Sequence, residues 1–267
     1  MEKKKKRISI PLIVAMAVCI LVLIFSIWQL VSIYLEYKRG TDEYDALQQY
    51  VNEELPETEY GEDIAEEESE EGEEEEDTEQ EERLARVSFD ELKAINEEIV
   101  GWIQIPGTQI SYPIMHGDDD AYYLNHTFSG NVNSSGSIFM EALNSGDFSD
   151  LHTIIYGHNM KNGAMFAGLK SYQSPSYLVS HPTVYVDLQS GTHAYQIFSC
   201  YETEANSDSY TIGFAQDDQY AEFLSTLKSR SAYDTGVDVS VEDSIITLST
   251  CTKSGEKRFV IHAKKIW

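Results

Sequence analysis

The sequence has little cysteine. Its 267 residues carry three, at 19, 200 and 251, and contain no Cys-x-x-Cys pair. That argues against a small scaffold stapled by disulfides. His-Glu-x-x-His is absent too, and Cys200 and Cys251 are far apart in sequence. No metal site has a good account, and no cofactor is expected. Basic residues are scarce: 19 Lys and Arg stand against 46 Asp and Glu, a net charge of -27. After residue 82 there are 12 basic and 22 acidic residues, a balance that disfavours nucleic acid as a partner. No internal repeat is visible, and no small-x-small cleavage site follows the one long apolar run.

That run covers 10–28, broken only by Ser26 and extended by Leu30, Val31 and Ile33. It is long enough to cross a hydrocarbon core of roughly 30 Å as a helix, with Pro11 harmless in the first turn. KKKKR precedes it at 3–7, and only Lys38 and Arg39 follow closely. The charge bias predicts a cytoplasmic basic tail at 1–9, a single bilayer-spanning helix at 10–35, and the rest of the chain outside the cell. Residues 36–85 read as a stalk followed by an acidic, disordered linker. Between 53 and 82 lie 19 acidic residues and no basic one, so like charges repel and almost nothing can form a core. The expected role is a tether carrying the next domain away from the membrane. The spacing and turn glycine of a dedicated Ca²⁺ loop are missing. Residues 86–267 suffice for one domain with a substantial core.

Within that domain, Ser88 and Glu91 have the spacing of a capping box, and Leu92, Ile95 and Ile99 suggest a helix ending near Gly101. Short strand candidates follow at 100–105, 110–114, 136–139, 153–156, 184–188, 193–201, 244–250 and 258–264. Their Gly-, Pro-, Asn- and Asp-rich connections favour a mainly β barrel or sandwich. One segment, 215–229, has helical spacing in Tyr220, Phe223, Leu224 and Leu227, with Asp217 and Asp218 at its start and Lys228 near its end. It is expected to cover an open end of the barrel and could also wall a substrate groove, roles that the sequence does not separate.

Two strand ends carry chemistry. The run 244–250 delivers Cys251, and after a turn at Ser254-Gly255 the next strand opens with Arg258. The run 153–156 ends abruptly in Gly157-His158-Asn159. A thiolate attacks an amide carbonyl, an imidazolium protonates the departing amine, and a guanidinium steadies the oxyanion. Cys251 is otherwise a small buried hydrophobe, and a disulfide to Cys200 stays open on spacing alone. His116, His126, His152, His181, His193 and His262 read as structural.

Thr247-Leu-Ser-Thr-Cys251 followed by Arg258 resembles the active-site signature of sortases, and Tyr156-Gly-His158-Asn159 resembles their histidine motif. The stretch from Asn96 through Pro106-Gly107, His181-Pro182 and the helical insertion are similar to class B members in particular. The resemblance implies a closed eight-stranded β-barrel with an N-terminal helix and a helix inserted before the last two strands. It also implies a membrane-held cysteine transpeptidase of Gram-positive surfaces. Such an enzyme cuts a C-terminal sorting signal after its threonine through a thioester, then joins the secreted protein to an amine of peptidoglycan precursor. By motif position Cys251 would be the nucleophile, His158 the acid/base and Arg258 the oxyanion residue. Tyr156 and Ser249 would line the groove, with Tyr210, Thr211 and Ile212 in its wall. The other readings are a pilus-related sortase joining to a lysine, a secreted cysteine peptidase or amidase, and a non-catalytic wall-binding protein.

Overall fold

The computed structural model describes residues 10–51, 86–251 and 256–267. The expected basic tail, the acidic tract from 52 onward and the Ser254-Gly255 turn lie outside them. Helix α1 (Ile10–Leu47) is unbroken over 38 residues, about 57 Å at the helical rise. From 14 to 35 its side chains are all exposed, and all but Ser26, Gln29 and Ser32 are apolar or aromatic. In water such a surface is unfavourable; in lipid it is matched.

Beyond Glu36 the same helix lies against the domain. Tyr44 and Leu47 join the main core, and Tyr44 Oη donates to Gly136 O at 2.7 Å. Glu36 and Glu43 accept the backbone N–H groups of Ser134 and Ser129. Gly40 permits the approach, since a Cβ there would stand 2.8 Å from Ser135 Oγ. Val51 then pairs antiparallel with Val87, and Ser88 N donates to Tyr50 O at 2.9 Å. The chain therefore leaves the described structure at 51 and re-enters it at 86 beside the point of departure. Arg86 is buried at that return, forking onto Asp187 at 3.1 and 2.9 Å.

The next helix, α2 (Phe89–Lys93), has only five residues, shorter than the sequence pattern predicts. Ser88 makes no side-chain cap bond. Asn96 ends the run instead, accepting from Glu98 N and donating to Phe128 O. Ile95 is left exposed and Ile99 opens the first strand, so the expected stripe is not one helical face.

The eight strands are β1 (Ile99–Gln104), β2 (Ser111–Met115), β3 (Ile138–Met140), β4 (His152–Tyr156), β5 (Thr183–Leu188), β6 (Gly191–Glu204), β7 (Ile245–Cys251) and β8 (Lys257–Lys265). They close in the order β1-β2-β3-β4-β7-β8-β6-β5, parallel at β2/β3 and β4/β7 and antiparallel elsewhere. Closure removes every free sheet edge. Between β4 and β5 run a 3-10 stretch (Phe166–Gln173) and α3 (Pro175–Ser180). Between β6 and β7 sit a 3-10 turn (Asp208–Tyr210) and α4 (Asp218–Ser229). Asp217 caps α4, accepting from Gln219 N and Tyr220 N. The Tyr220, Phe223, Leu224 and Leu227 stripe packs on Phe198, Tyr201, Ile245 and Val260, a second apolar cluster on the outside of the barrel wall.

Candidate active site

Directly opposed residues of an antiparallel pair share a face, and the face alternates at each step. Along β7 and β8 one face carries the rungs Cys251–Arg258, Ser249–Val260, Thr247–His262 and Ile245–Lys264. The intervening rungs, Leu248–Ile261 and Ile246–Ala263 among them, fill the barrel. The outer face is covered progressively. α4 covers Ile245 and Val260, and Tyr210 reaches Ser249, with 2.9 Å between the hydroxyls. The Cys251–Arg258 rung is only half-buried. Thiol and guanidinium thus meet at the uncovered end of an otherwise covered face.

His158 arrives from the neighbouring strand. β4 runs parallel to β7 with Tyr156 beside Ser249, and Gly157 N extends the ladder by donating to Ser249 O at 3.1 Å. Gly157 has no room for a side chain: a Cβ would stand 2.4 Å from Ile138 Cδ1 and 2.7 Å from the Phe166 ring. The chain turns there, and Phe166 N closes the turn onto His158 O at 2.9 Å. Nε2 of His158 lies 2.7 Å from Leu124 O. A carbonyl only accepts, so Nε2 carries the proton and Nδ1 is the nitrogen left free to exchange one.

Cys251, His158, Arg258, Tyr156, Ser249 and Tyr210 line one cavity of about 300 Å³. Thr211 and Ile212, expected in its wall, are not among the described residues that line it. Thr211 instead turns its carbonyl inward to Nδ1 of His152 at 2.7 Å, which leaves its side chain exposed. A larger cavity, about 440 Å³, lies between α1 and the barrel, where Tyr37, Asp45 and Asn162 are among its lining. No cysteine lines it, and the site is assigned by chemistry, not by size.

Two groups in or beside the groove escape sequence reasoning. Tyr156 Oη donates to Glu141 Oε2 at 2.7 Å, and Asp120 lines the cavity. Burial, then the neighbouring Asp120 charge, pushes the Glu141 carboxyl up, against the pull of the Tyr156 hydrogen bond. Burial first, and Glu141 second, pushes the Tyr156 phenol far up, so it remains a donor. No sequence signal marks Glu141; the structure places it two residues past Phe139, which opposes Tyr156. Cys200 is a free, fully buried thiol whose Sγ donates to Tyr172 O at 3.2 Å. Burial raises its pKa. Cys251 is free as well, so the two are not bridged.

The sortase domain family matches residues 103–266. The chain belongs to the sortase family. Its relatives include the sortase B proteins of Listeria monocytogenes, 40% identical over 66% of this chain and 73% of that protein, and of Staphylococcus aureus, 36% identical over 68% and 75%. Among solved structures, the sortase B of B. anthracis in complex with AAEK1 is 32% identical and covers 87% of this chain and 98% of its own, with a TM-score of 0.70. The S. aureus sortase B-substrate complex is 35% identical, covers 68% and 86%, and gives a TM-score of 0.65. This is a sortase-type cysteine transpeptidase of the class B kind, and its barrel is the one that the motifs imply. The apolar part of α1 is compatible with a membrane anchor of such a sortase.

Proposed function

We propose that this sortase is held in the membrane by residues 10–35, with its amino terminus cytoplasmic and residues 86–267 outside. There it joins secreted proteins carrying a C-terminal sorting signal to an amine of peptidoglycan precursor. The observation that carries the reading is the lining of one half-open cavity by Cys251, His158 and Arg258. In the first half-reaction the Cys251 thiolate adds to the carbonyl carbon of the signal's threonine. Arg258 hydrogen-bonds the oxygen that becomes an oxyanion. Collapse breaks the C–N bond, the leaving amine takes a proton from the His158 imidazolium, and a thioester remains. In the second, the acceptor amine attacks the thioester, gives its proton to His158 and expels the thiolate, so a new amide forms and the enzyme is restored.

Incubating the full chain in detergent with sorting-signal peptides, with and without acceptor amines, tests the reading. Intact-mass spectrometry should show an acyl adduct in the wild type and none in Cys251→Ala, and an amide product only with amine. An adduct persisting on the alanine variant would overturn the role of Cys251. Release by water alone, indifferent to every amine, would make the enzyme a peptidase.

A further inference from the structure

On the outer face of β7 and β8, two rungs below the nucleophile, lies Thr247–His262. Both residues are fully buried, as is His152 on β4. They belong to one continuous hydrogen-bond chain. His152 Nδ1 meets Thr211 O at 2.7 Å, and its Nε2 meets Thr247 Oγ1 at 2.6 Å. Thr247 Oγ1 meets His262 Nδ1 at 2.7 Å, and His262 Nε2 meets Tyr201 Oη at 3.1 Å. Tyr201 Oη meets Ser209 Oγ at 2.9 Å, and an Arg230 N–H reaches Ser209 Oγ at 3.4 Å.

The two ends fix the direction of every proton. A carbonyl cannot donate, so His152 Nδ1–H donates to Thr211. Burial holds His152 down at about 4 and His262 well below its ordinary range, so both rings are neutral at neutral pH. The Nε2 of His152 must then accept the single Thr247 proton, which obliges His262 Nδ1–H to donate to Thr247. His262 Nε2 in turn accepts from Tyr201, Tyr201 accepts from Ser209, and Ser209 accepts from Arg230, which can only donate. Each hydroxyl gives once and receives once. No alternative assignment satisfies all of them with neutral rings.

The chain crosses four strands of the barrel wall, yet it begins and ends on one short segment: Ser209 and Thr211 flank Tyr210. Arg230, at the end of α4, also grips Asp208 of that segment at 2.9 Å. Between the two anchors Tyr210 stands over the groove, its hydroxyl on Ser249 and its ring stacked 6.2 Å from that of Tyr156. We propose that His152, Thr247, His262 and Tyr201 are positioning residues that hold Tyr210 as a preformed wall of the peptide groove. They touch no substrate. A wall already in place costs the peptide no ordering when it binds. The assignment of Tyr210 to a peptide groove rests on the functional reading above; the hydrogen-bond chain does not.

The discriminating pair is Thr247→Val and Thr247→Ser, made in the full chain. Valine keeps the shape and removes the hydroxyl; serine keeps the hydroxyl and removes a methyl. Positioning predicts that Thr247→Val raises KM for the sorting-signal peptide about tenfold with kcat within about threefold of wild type, and that Thr247→Ser restores KM. A packing role predicts the reverse order of the two variants and would overturn the proposal. Tyr201→Phe breaks the same chain elsewhere and should repeat the KM effect if Thr247→Val folds poorly. In a Tyr210→Ala background neither change should add to KM; an undiminished effect there refutes the mechanism. Imidazole ¹⁵N spectra give a readout that needs no substrate. His152 and His262 should both be neutral rings protonated at Nδ1, and any other tautomer overturns the chain even if no sorting peptide is ever turned over. A wild type that forms no acyl adduct, with these spectra as expected, would refute the functional reading alone.

Discussion

Arg258 faces Cys251 across a single antiparallel rung, and a lysine there would supply the same charge. It would not supply the same geometry, because the guanidinium offers a rigid fork of donors while an ammonium is a point charge on a flexible stem. Arg258→Lys should therefore reduce kcat/KM for a sorting-signal peptide by about 10²–10³-fold, in the range of losing an oxyanion donor. Cys251 should still react with a small thiol reagent. Kinetics close to wild type would mean that charge alone suffices. The three residues proposed to react, which the structure brings to one cavity, stand out in the sequence because each sits at an abrupt strand end, Cys251 closing one apolar run, Arg258 opening the next and His158 following a glycine. Glu141 is not legible, since its partner Tyr156 comes from a neighbouring strand and nothing local marks the pair. His262 shows its parity with Arg258 in the sequence, but the buried chain it joins depends on three other strands and on the insertion.

Among the elements, the β6–β7 insertion depends most on the barrel. The expected helix forms and covers the barrel wall; none of its residues lines the cavity, and in the proposed hydrogen-bond chain its link to the groove is indirect, through Arg230 and Ser209. Its buried partners give a pH signature. His152 titrates at about 4 in the folded protein, because burial outweighs the favourable Thr211 bond and the Asp150 charge. His262 is lowered by burial first, then by His152 and Arg230. An unfolded histidine titrates near 6.5. As pH falls below that value the unfolded chain takes up protons that the folded rings refuse, so stability present above about 6.5 is lost progressively toward 4, by about 3 kcal/mol for His152 alone. Denaturant melts at pH 7 and 4.5 measure it, and the difference between wild type and His152→Asn isolates the contribution. Equal pH slopes in the two proteins would contradict it. The short α2 shows the opposite relation: Asn96 is drawn off to Phe128 O, a contact distant in sequence, so a helical period that looks longer is cut off at Lys93.

For the whole molecule, the meeting of Val51 with Val87 bears on the acidic tract. The sequence alone suggests a spacer between membrane and catalytic domain, yet the residues on either side of 52–85 are paired with each other and α1 is packed on the barrel. A segment whose ends already touch adds no reach. Replacing 52–85 with about four Gly and Ser residues should leave turnover of a free peptide unchanged. It should also raise stability by about 2 kcal/mol, the loop-closure difference expected between flexible connections of those two lengths. A loss of stability would show that the tract contributes structure of its own, and a loss of turnover that it serves the groove.

With α1 continuous from the lipid-matched surface to the Tyr44 and Leu47 contacts, the proposed anchor and the barrel are one lever without a hinge. Any lean of the helix in the bilayer becomes an equal lean of the groove mouth, and each residue added near position 35 lifts that mouth by about 1.5 Å and swings it by about 100°. With residues 10–35 in the bilayer as proposed, the groove has a fixed altitude. Partners tethered to the same membrane must bring their reacting groups to that level, whereas peptides free in solution need not.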